Sequence, residues 1–343
     1  MKRLSAFNRF MFLINVLVIL LLLLACIAPH ISDERFSILV FLGLGVPALV
    51  LANIFFLTYW VIKRRVGRAS GSFCMLVLGF FVLGPFIRPS FTAVEIQDDD
   101  LTVMSYNVRV FNRYEELESK TVFEDIKTFV YQEDPDIICF QEPSARRIKE
   151  YENYPHKYLE YIHMQGKGVL GILSKYPIVN SGLVNFPHTM SSASFADIRY
   201  QNDTIRVYNV HLESLGITPG QGAIRGQSSD KLFKMLHKAF QKQLEQAKIL
   251  REHRASVSYG TILCGDFNNV QFSNIYNIAK GDLQDSFIEA GSGYGRTLIF
   301  HGIPFRIDFI MADQNFEVKS HKTYDVIYSD HFPTMASFQL RTD

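Results

Sequence analysis

The chain has 343 residues, 48% of them hydrophobic, with 35 Lys and Arg against 34 Asp and Glu. This length suits one or two domains, and the charge is divided unevenly along it. Residues 1–91 carry nine basic and two acidic residues, whereas the remainder carries 26 basic and 32 acidic residues, a net charge of 26 − 32 = −6. Because nonspecific binding of long nucleic acid draws on a basic surface, this balance disfavours that class of protein, although it leaves room for a local basic patch.

Three apolar runs occupy the N-terminal region, from Phe10 to Ala28, from Phe36 to Ile62 and from Phe73 to Ile87. The first two are long enough to span a bilayer core, and the third is shorter. These runs predict a membrane anchor over residues 1–91 with about three transmembrane helices. The protein is therefore expected to be integral to an inner or plasma membrane, with the lipid bilayer as a partner.

Basic residues cluster before the first run and again in the segment Lys63–Arg68 between the second and third runs. Because cytoplasmic loops carry an excess of Lys and Arg, both clusters are predicted to be cytoplasmic and residues 92–343 extracytoplasmic. Two alternatives stay open. The segment Leu23–Cys26 has the form of a lipoprotein signal, and a third run that does not span would leave residues 92–343 in the cytoplasm.

From residue 100 onward, short apolar and β-branched runs alternate with Gly, Pro and Asn, a pattern typical of strands. The predicted strands are Leu101–Asn107, Asp136–Gln141, Gly168–Leu173, Ile205–Leu212, Gly260–Cys264, Arg306–Met311 and Thr334–Leu340. Apolar residues spaced three and four apart predict the helices Leu117–Gln132 and Lys231–Arg254. Strands that are apolar throughout indicate sheets covered by helices.

Polar side chains follow the predicted strands at the points where the strands end. Open sheets bind ligands at the carboxyl ends of their strands, so we expect these side chains to converge on one site. An isolated Asp or Asn in such a position is usually a turn former, but here the pattern recurs at strand after strand. The segments are Met104–Asn107, Ile138–Glu142, Tyr208–His211, Cys264–Asn269, Arg306–Phe309 and Ser329–His331.

This ordered set resembles the endonuclease/exonuclease/phosphatase superfamily, which includes DNase I-like nucleases, over roughly Leu101 to Leu340. The most specific segments are Gly265-Asp266-Phe267-Asn268 and Ser329-Asp330-His331, with Arg306-Ile307-Asp308-Phe309-Ile310 before the latter. The resemblance implies an α/β fold for residues 92–343, a four-layer sandwich of two central mixed sheets flanked by helices, preceded by the transmembrane helical region. It also implies metal-dependent hydrolysis of phosphoesters.

The resemblance implies a metal site as well. Glu142 is the expected ligand, supported by Asn107, and Asp330 completes or tunes the site. Hard oxygen ligands suit Mg²⁺ or Mn²⁺. Asp266 is expected to orient or deprotonate the attacking water, and Asn268 to hold water or a phosphate oxygen.

Two histidines are expected to act on the substrate. His331 contacts the scissile phosphate as a base or as a charge stabiliser, and Asp308 accepts a hydrogen bond from its ring. His211 donates to the leaving oxygen or stabilises the transition state. Asn209 orients its neighbours and contacts the substrate. The sequence leaves open which histidine is the acid and which the base.

The predicted function is hydrolysis of a small or lipid-linked phosphoester near the membrane surface. One alternative is an extracytoplasmic nuclease acting on DNA or RNA, with nucleic acid as the less favoured partner. The other is a catalytically silent membrane-tethered binding module, which is disfavoured because every expected polar position holds a competent residue. The sequence leaves the oligomeric state open, and also the choice between monoesterase and diesterase.

Overall fold

The computed structural model of the chain describes residues 5–31, 39–85, 87–89, 100–112, 117–161, 169–187, 189, 191–216, 229–300 and 302–341. The predicted domain boundary between residues 91 and 92 lies outside these ranges. Contacts divide the chain into two units, one of residues 1–85 with 270–277 and one of residues 86–269 with 278–343.

Three apolar helices dominate the first unit: α1 (Ala6–Ile27), α2 (Val40–Ile62) and α3 (Val66–Leu83). By length and composition alone, each could cross a membrane. Asn15 connects all three helices, because its Nδ2 donates to Ser72 Oγ at 2.7 Å and its Oδ1 accepts from Trp60 Nε1 at 2.9 Å. Such polar contacts stabilise helix packing where the surroundings are apolar.

The third helix differs from its predicted range, because it begins at Val66 and ends at Leu83 instead of running from Phe73 to Ile87. The prediction excluded Arg68 from the apolar run because of its charge. In the structure the Arg68 guanidinium lies over the rings of Phe12 and Trp60, at 5.3 and 5.6 Å from their centroids. A long basic side chain is compatible with a helix end when its head reaches a favourable partner.

The second unit contains two six-stranded mixed sheets and a short hairpin. The first sheet has β1 (Leu101–Asn107), β2 (Ile137–Gln141), β3 (His156–Tyr161), β4 (Val169–Ser174), β13 (Phe316–Thr323) and β14 (Thr334–Leu340). The second has β5 (Ile178–Val184), β6 (Ser192–Tyr200), β7 (Asp203–His211), β8 (Gly260–Asp266), β9 (Gln284–Asp285) and β12 (Asp308–Ala312). The hairpin is β10 (Leu298–Phe300) with β11 (Ile303–Phe305).

Helices connect and flank these strands. They are α4 (Arg109–Asn112), α5 (Val122–Glu133), α6 (Ala145–Ile148), α7 (Ser229–Ala255) and α9 (Ser286–Ala290). Helix α8 (Asn274–Lys280) begins in the first unit and ends in the second. Helix α5 therefore begins later than the predicted helix from Leu117 to Gln132. Helix α7 extends by one or two residues beyond each end of the predicted helix from Lys231 to Arg254.

Each sheet has a parallel pair of strands at its centre, β1 with β2 and β7 with β8, and the other described pairs are antiparallel. In these parallel pairs Asn107 lies beside Gln141, and His211 lies beside Asp266. Parallel neighbours end at the same edge of a sheet. The central strands therefore carry their terminal polar residues to one end of each sheet.

The main core lies between the two sheets. Val103 and Ile137 from the first sheet pack with Val207, Ile262 and Ile310 from the second, and all five are fully buried. Burying an aliphatic side chain of this size contributes about 1.5–3 kcal/mol.

Helices cover the outer faces of the sheets. Phe123 and Ile126 of α5 pack against the first sheet, and His253 of α7 lies against Tyr208 of the second, with 2.9 Å between Nδ1 and the hydroxyl. The predicted fold class, two mixed sheets flanked by helices, is confirmed.

Candidate active site

Asp266 lies at the centre of a cluster of polar side chains at the strand ends. The pairing of β8 with β7 and β12 sets His211 on one side of it and Asp308 on the other. Its buried carboxylate accepts a hydrogen bond from Asn107 Nδ2 at 3.0 Å. Asp266 Oδ2 is 3.6 Å from His331 Nε2 and 3.8 Å from His211 Nε2. The two sheets thus bring four predicted residues around one carboxylate.

The chain around Asp266 has little freedom. Gly265 has a φ of +137°, and a Cβ there would lie 2.0 Å from the Val210 carbonyl oxygen, so only glycine fits between β7 and β8. Asn268 has a φ of +48°. Its N–H donates to Asp266 Oδ1 at 2.7 Å, and its Nδ2 donates to the Leu212 carbonyl at 3.0 Å. The Asn268 side chain therefore fixes the loop after β8, which leaves its Oδ1 for any contact with water or phosphate.

His331 is held by Asp308, as the sequence predicts. The ring Nδ1 lies 2.9 Å from Asp308 Oδ2, which assigns the proton to Nδ1 and turns Nε2 toward Asp266. Asp308 is itself fixed by Thr297, whose Oγ1 accepts its N–H at 3.0 Å. Burial acts to lower the pKa of His331, but the charges of Asp308 and Asp266 prevail and the net shift is upward. The two carboxylates therefore favour the protonated imidazole.

Glu142 follows β2 and extends toward His211, with 3.7 Å between Oε1 and Nε2. Its side chain is 32% exposed, more than the other carboxylates of the cluster. Its φ is +52°, and its carbonyl accepts the N–H of Val110 at 2.8 Å. The loop that carries Glu142 is thereby bound to the turn that follows β1.

That turn, α4, is a single left-handed turn, because the four residues from Arg109 to Asn112 all have φ between 41° and 58°. Left-handed geometry costs roughly 1–2 kcal/mol for each non-glycine residue. Tertiary contacts offset the cost. Phe111 packs edge-on against Phe123 and Phe140, and Arg109 Nη1 forms a salt bridge of 2.5 Å with Asp330 Oδ2. Backbone strain held in this way is typical of functional sites.

Arg109 is a site residue that the sequence analysis missed, and it changes the interpretation of Asp330. The sequence assigned Asp330 to the metal, whereas in the structure its Oδ2 is engaged by a guanidinium and Ser329 Oγ lies 3.1 Å from its Oδ1. A basic residue two positions after Asn107, at the end of the strand-end segment, was the available signal. The structure thus brings Asp330 to the rim of the cluster, in a salt bridge.

Asn209 does not reach the site surface. It is fully buried, and its Nδ2 donates to the carbonyls of Phe140 and Gly171 at 2.9 Å each, while its Oδ1 accepts from Gln141 Nε2 at 2.7 Å. These bonds join the two sheets beneath the cluster. The predicted contact with substrate therefore does not fit this geometry, whereas the predicted role in orienting neighbours does.

Gln243 of α7 is a second residue that the sequence analysis missed. It is fully buried, and its Nε2 donates to the carbonyls of Glu213 and Asn268 at 2.7 and 3.2 Å. Its Oε1 accepts from Asn269 Nδ2 at 2.7 Å. One side chain thus clamps the loops that follow β7 and β8. Nothing in the helical spacing of α7 distinguishes this glutamine from its neighbours.

The cluster fits a divalent cation. Four carboxylates, those of Glu142, Asp266, Asp308 and Asp330, lie in or beside it, and Asp308 Oδ1 is buried without a hydrogen-bond partner among the described residues. Ligand atoms of Asp266, Asp308 and His331 lie within 4.8 Å of one another. Asp308 and His331 are already hydrogen-bonded to each other, so a cation bound by both side chains would compete with that hydrogen bond. Oxygen donors in such number suit Mg²⁺ or Mn²⁺.

An α/β sandwich with carboxylates and histidines gathered at its strand ends has the arrangement of groups that hydrolytic active sites use. The chain belongs to the Endonuclease/Exonuclease/phosphatase family, whose sequence profile matches residues 104–331. Members of this family hydrolyse phosphoester bonds. A second profile, described as a domain of unknown function, matches residues 8–86. Comparison with curated proteins found no match.

Solved structures with the same fold cover most of the chain. An endonuclease/exonuclease/phosphatase from Bacteroides vulgatus is 16% identical, with a TM-score of 0.56, over 71% of this chain and 99% of that one. A mannosyl-6-phosphatase from Bacteroides thetaiotaomicron is 21% identical, with a TM-score of 0.54, over 70% and 100%. D. rerio TDP2 in complex with a single-strand DNA product is 14% identical, with a TM-score of 0.52, over 71% and 100%. At these identities the likeness shows the fold alone.

Proposed function

We propose that the protein is a membrane-anchored phosphoesterase that uses Mg²⁺ or Mn²⁺ and hydrolyses a small or lipid-linked phosphoester. The observation that carries the proposal is the buried carboxylate of Asp266, which lies within 3.6 Å of His331 Nε2 and 3.8 Å of His211 Nε2. Two imidazoles directed at one carboxylate, with Glu142 beside them, can bind a phosphate, orient a water and protonate a leaving group.

In this proposal Glu142 and Asn107 hold the cation, and Asp330 tunes the site through its salt bridge with Arg109. A bound divalent cation would withdraw charge from the phosphate oxygens and so ease attack at phosphorus. Asp266 orients the attacking water and accepts its proton. Its carboxylate is suited to this role because hydrogen bonds from Asn107 and from the backbone of Asn268 fix its orientation.

The histidines act on the two sides of the phosphate. His331 contacts the non-bridging oxygens as a cation, since the neighbouring carboxylates raise its pKa. His211 donates a proton to the leaving oxygen. Asn268 holds the water or a phosphate oxygen through its Oδ1, because its Nδ2 is already bonded to Leu212.

The net charge of residues 92–343 and the membrane anchor indicate the class of substrate. Residues 92–343 have a net charge of 26 − 32 = −6, and binding of long polyanions gains much of its free energy from a basic surface. A membrane anchor raises the local concentration of lipid-linked substrates relative to free DNA. Both observations favour a small or lipid-linked phosphoester.

The full-length protein, purified in detergent, should hydrolyse phospholipid vesicles or chromogenic phosphoesters faster than it nicks plasmid DNA at moderate salt. The measurement is the initial rate on each of the three substrates at low and at moderate salt. Efficient nicking at moderate salt, with no turnover of lipid or small esters, would reverse the assignment in favour of a nuclease.

The proposed membrane side is extracytoplasmic for residues 92–343, with the N-terminus and Lys63–Arg68 in the cytoplasm. The excess of basic residues in those two segments supports this orientation. A reporter fused after Thr92 should give the extracytoplasmic signal, and a control fusion after Arg65 the cytoplasmic one. A cytoplasmic signal from both fusions would mean that α3 does not cross the membrane.

A further inference from the structure

A cavity of about 1020 Å³ lies between the left-handed turn α4, the start of α5 and the turn after β2. Its lining includes the apolar residues Val110, Phe111 and Phe123 and also residues with hydroxyl, amide and charged side chains. The volume lies at the upper end of the range of about 300–1,000 Å³ that small-molecule sites occupy.

The cavity walls are fixed by internal contacts. Asn112 Nδ2 donates to the Leu117 carbonyl and its Oδ1 accepts the Leu117 N–H, both at 2.9 Å. The guanidinium of Arg147 lies over the ring of Phe123, 4.3 Å from its centroid, and also bonds Glu150 at 3.1 Å. The cavity is thus preformed on the side of α5 and of α6.

The cavity adjoins the backbone of Glu142, the candidate metal ligand. Val110 lines it and donates its N–H to the Glu142 carbonyl at 2.8 Å. Ser144, two residues beyond Glu142, lines it from the other side. Arg109, which precedes the lining residues of α4, bonds Asp330. The cavity therefore adjoins the loop that carries the candidate metal ligand.

The charge of the lining indicates what that part carries. Among the described residues, Lys120, Arg146 and Arg147 line the cavity together with one acid, Glu118, in a catalytic region whose net charge is 26 − 32 = −6. We propose that this cavity binds a second phosphate, on the non-reacting part of the substrate. The inference rests on the proposed phosphoesterase function and narrows its substrate to phosphoesters with a further anionic group, rather than head groups with a quaternary ammonium.

The test compares substrates that differ by one phosphate. The full-length chain is assayed on a hexose bisphosphate and on the hexose monophosphate. It is also assayed on phosphatidylcholine vesicles with phosphatidylglycerol phosphate or with phosphatidylglycerol. The variants are Lys120→Glu and Arg146→Glu, both at exposed positions, and the matched control is Lys238→Glu, exposed on α7.

Each cavity variant should lower kcat/KM on the bisphosphorylated substrate by about fivefold or more, mainly through KM, as expected when a charge contact of this size becomes repulsive. Monophosphorylated substrates and the Lys238→Glu control should stay within about twofold of wild type. A loss of kcat/KM confined to the hexose bisphosphate indicates a soluble substrate. A loss of kcat/KM confined to the vesicles indicates a lipid head group. An equal loss of kcat/KM on both members of a pair, or no loss, overturns the proposal.

A wild-type protein that hydrolyses none of these substrates would refute the proposed function instead. The cavity is then tested by equilibrium binding of the hexose bisphosphate to the same variants. A Kd raised about fivefold by Lys120→Glu and Arg146→Glu, but not by Lys238→Glu, supports the anion site. An unchanged Kd overturns it.

Discussion

Replacing His331 with alanine, or Asp266 with asparagine, is expected to lower kcat by about 10²–10⁴-fold, the range for a group that transfers a proton or charge to the reacting atoms. Asp308→Asn is expected to cost less, about 10–100-fold, because Asp308 orients the ring without touching substrate. The hydrogen bond of 2.9 Å between His331 Nδ1 and Asp308 Oδ2 is the basis for this ranking.

The measurement is kcat of each variant on one small phosphoester at saturating Mg²⁺, with the melting temperature as a check that the fold is retained. Asp325→Asn serves as a control, since Asp325 pairs with Arg296 at an exposed position. If Asp308→Asn lowered kcat the most of the three variants, the roles assigned to His331 and Asp308 would be wrong. A mechanism in which Asp308 itself acts on the substrate would replace them.

Glu142→Gln should reduce activity on the order of 100-fold and raise the Mg²⁺ concentration needed for half-maximal rate, because a ligand charge worth several kcal/mol is removed. Stability should change little. The side chain is 32% exposed, glutamine has the same shape, and the positive φ of +52° costs either residue the same. Mg²⁺ titration of the rate, together with thermal unfolding of both proteins, checks this.

Glu245→Gln is the matched control, because Glu245 is an exposed glutamate on α7, outside the cluster and the cavity. It should keep both the rate and the Mg²⁺ dependence of wild type. A Glu142→Gln protein with wild-type rate and wild-type Mg²⁺ dependence would remove Glu142 from the site.

The strands that carry the cluster could be predicted because they are apolar throughout and end in polar residues. β1 and β14 have the predicted bounds. Strands nearer the sheet edges, such as β5 and β13, were not predicted. Their many half-exposed residues give no continuous apolar run, and their pairing depends on neighbours distant in sequence.

Which strand-end residues face the site was harder to predict. Asn209 and His211 lie two apart on β7 and therefore on the same face of the sheet. His211, which is nearer the strand end, reaches the cluster, whereas Asn209 is covered by the opposite sheet. The left-handed turn at Arg109–Asn112 had no sequence signal at all, since none of its residues is a glycine and tertiary contacts enforce it.

The measurement that tests the account most directly is the rate of phosphoester hydrolysis by the purified full-length protein with Mg²⁺, in excess chelator, and after Mg²⁺ is restored. The double variant Asp266→Asn, His331→Ala is assayed in parallel. The account predicts hydrolysis that chelator abolishes, that Mg²⁺ restores, and that the double variant lacks under every condition. An undiminished rate in excess chelator, or hydrolysis by the double variant at the wild-type rate, would contradict it.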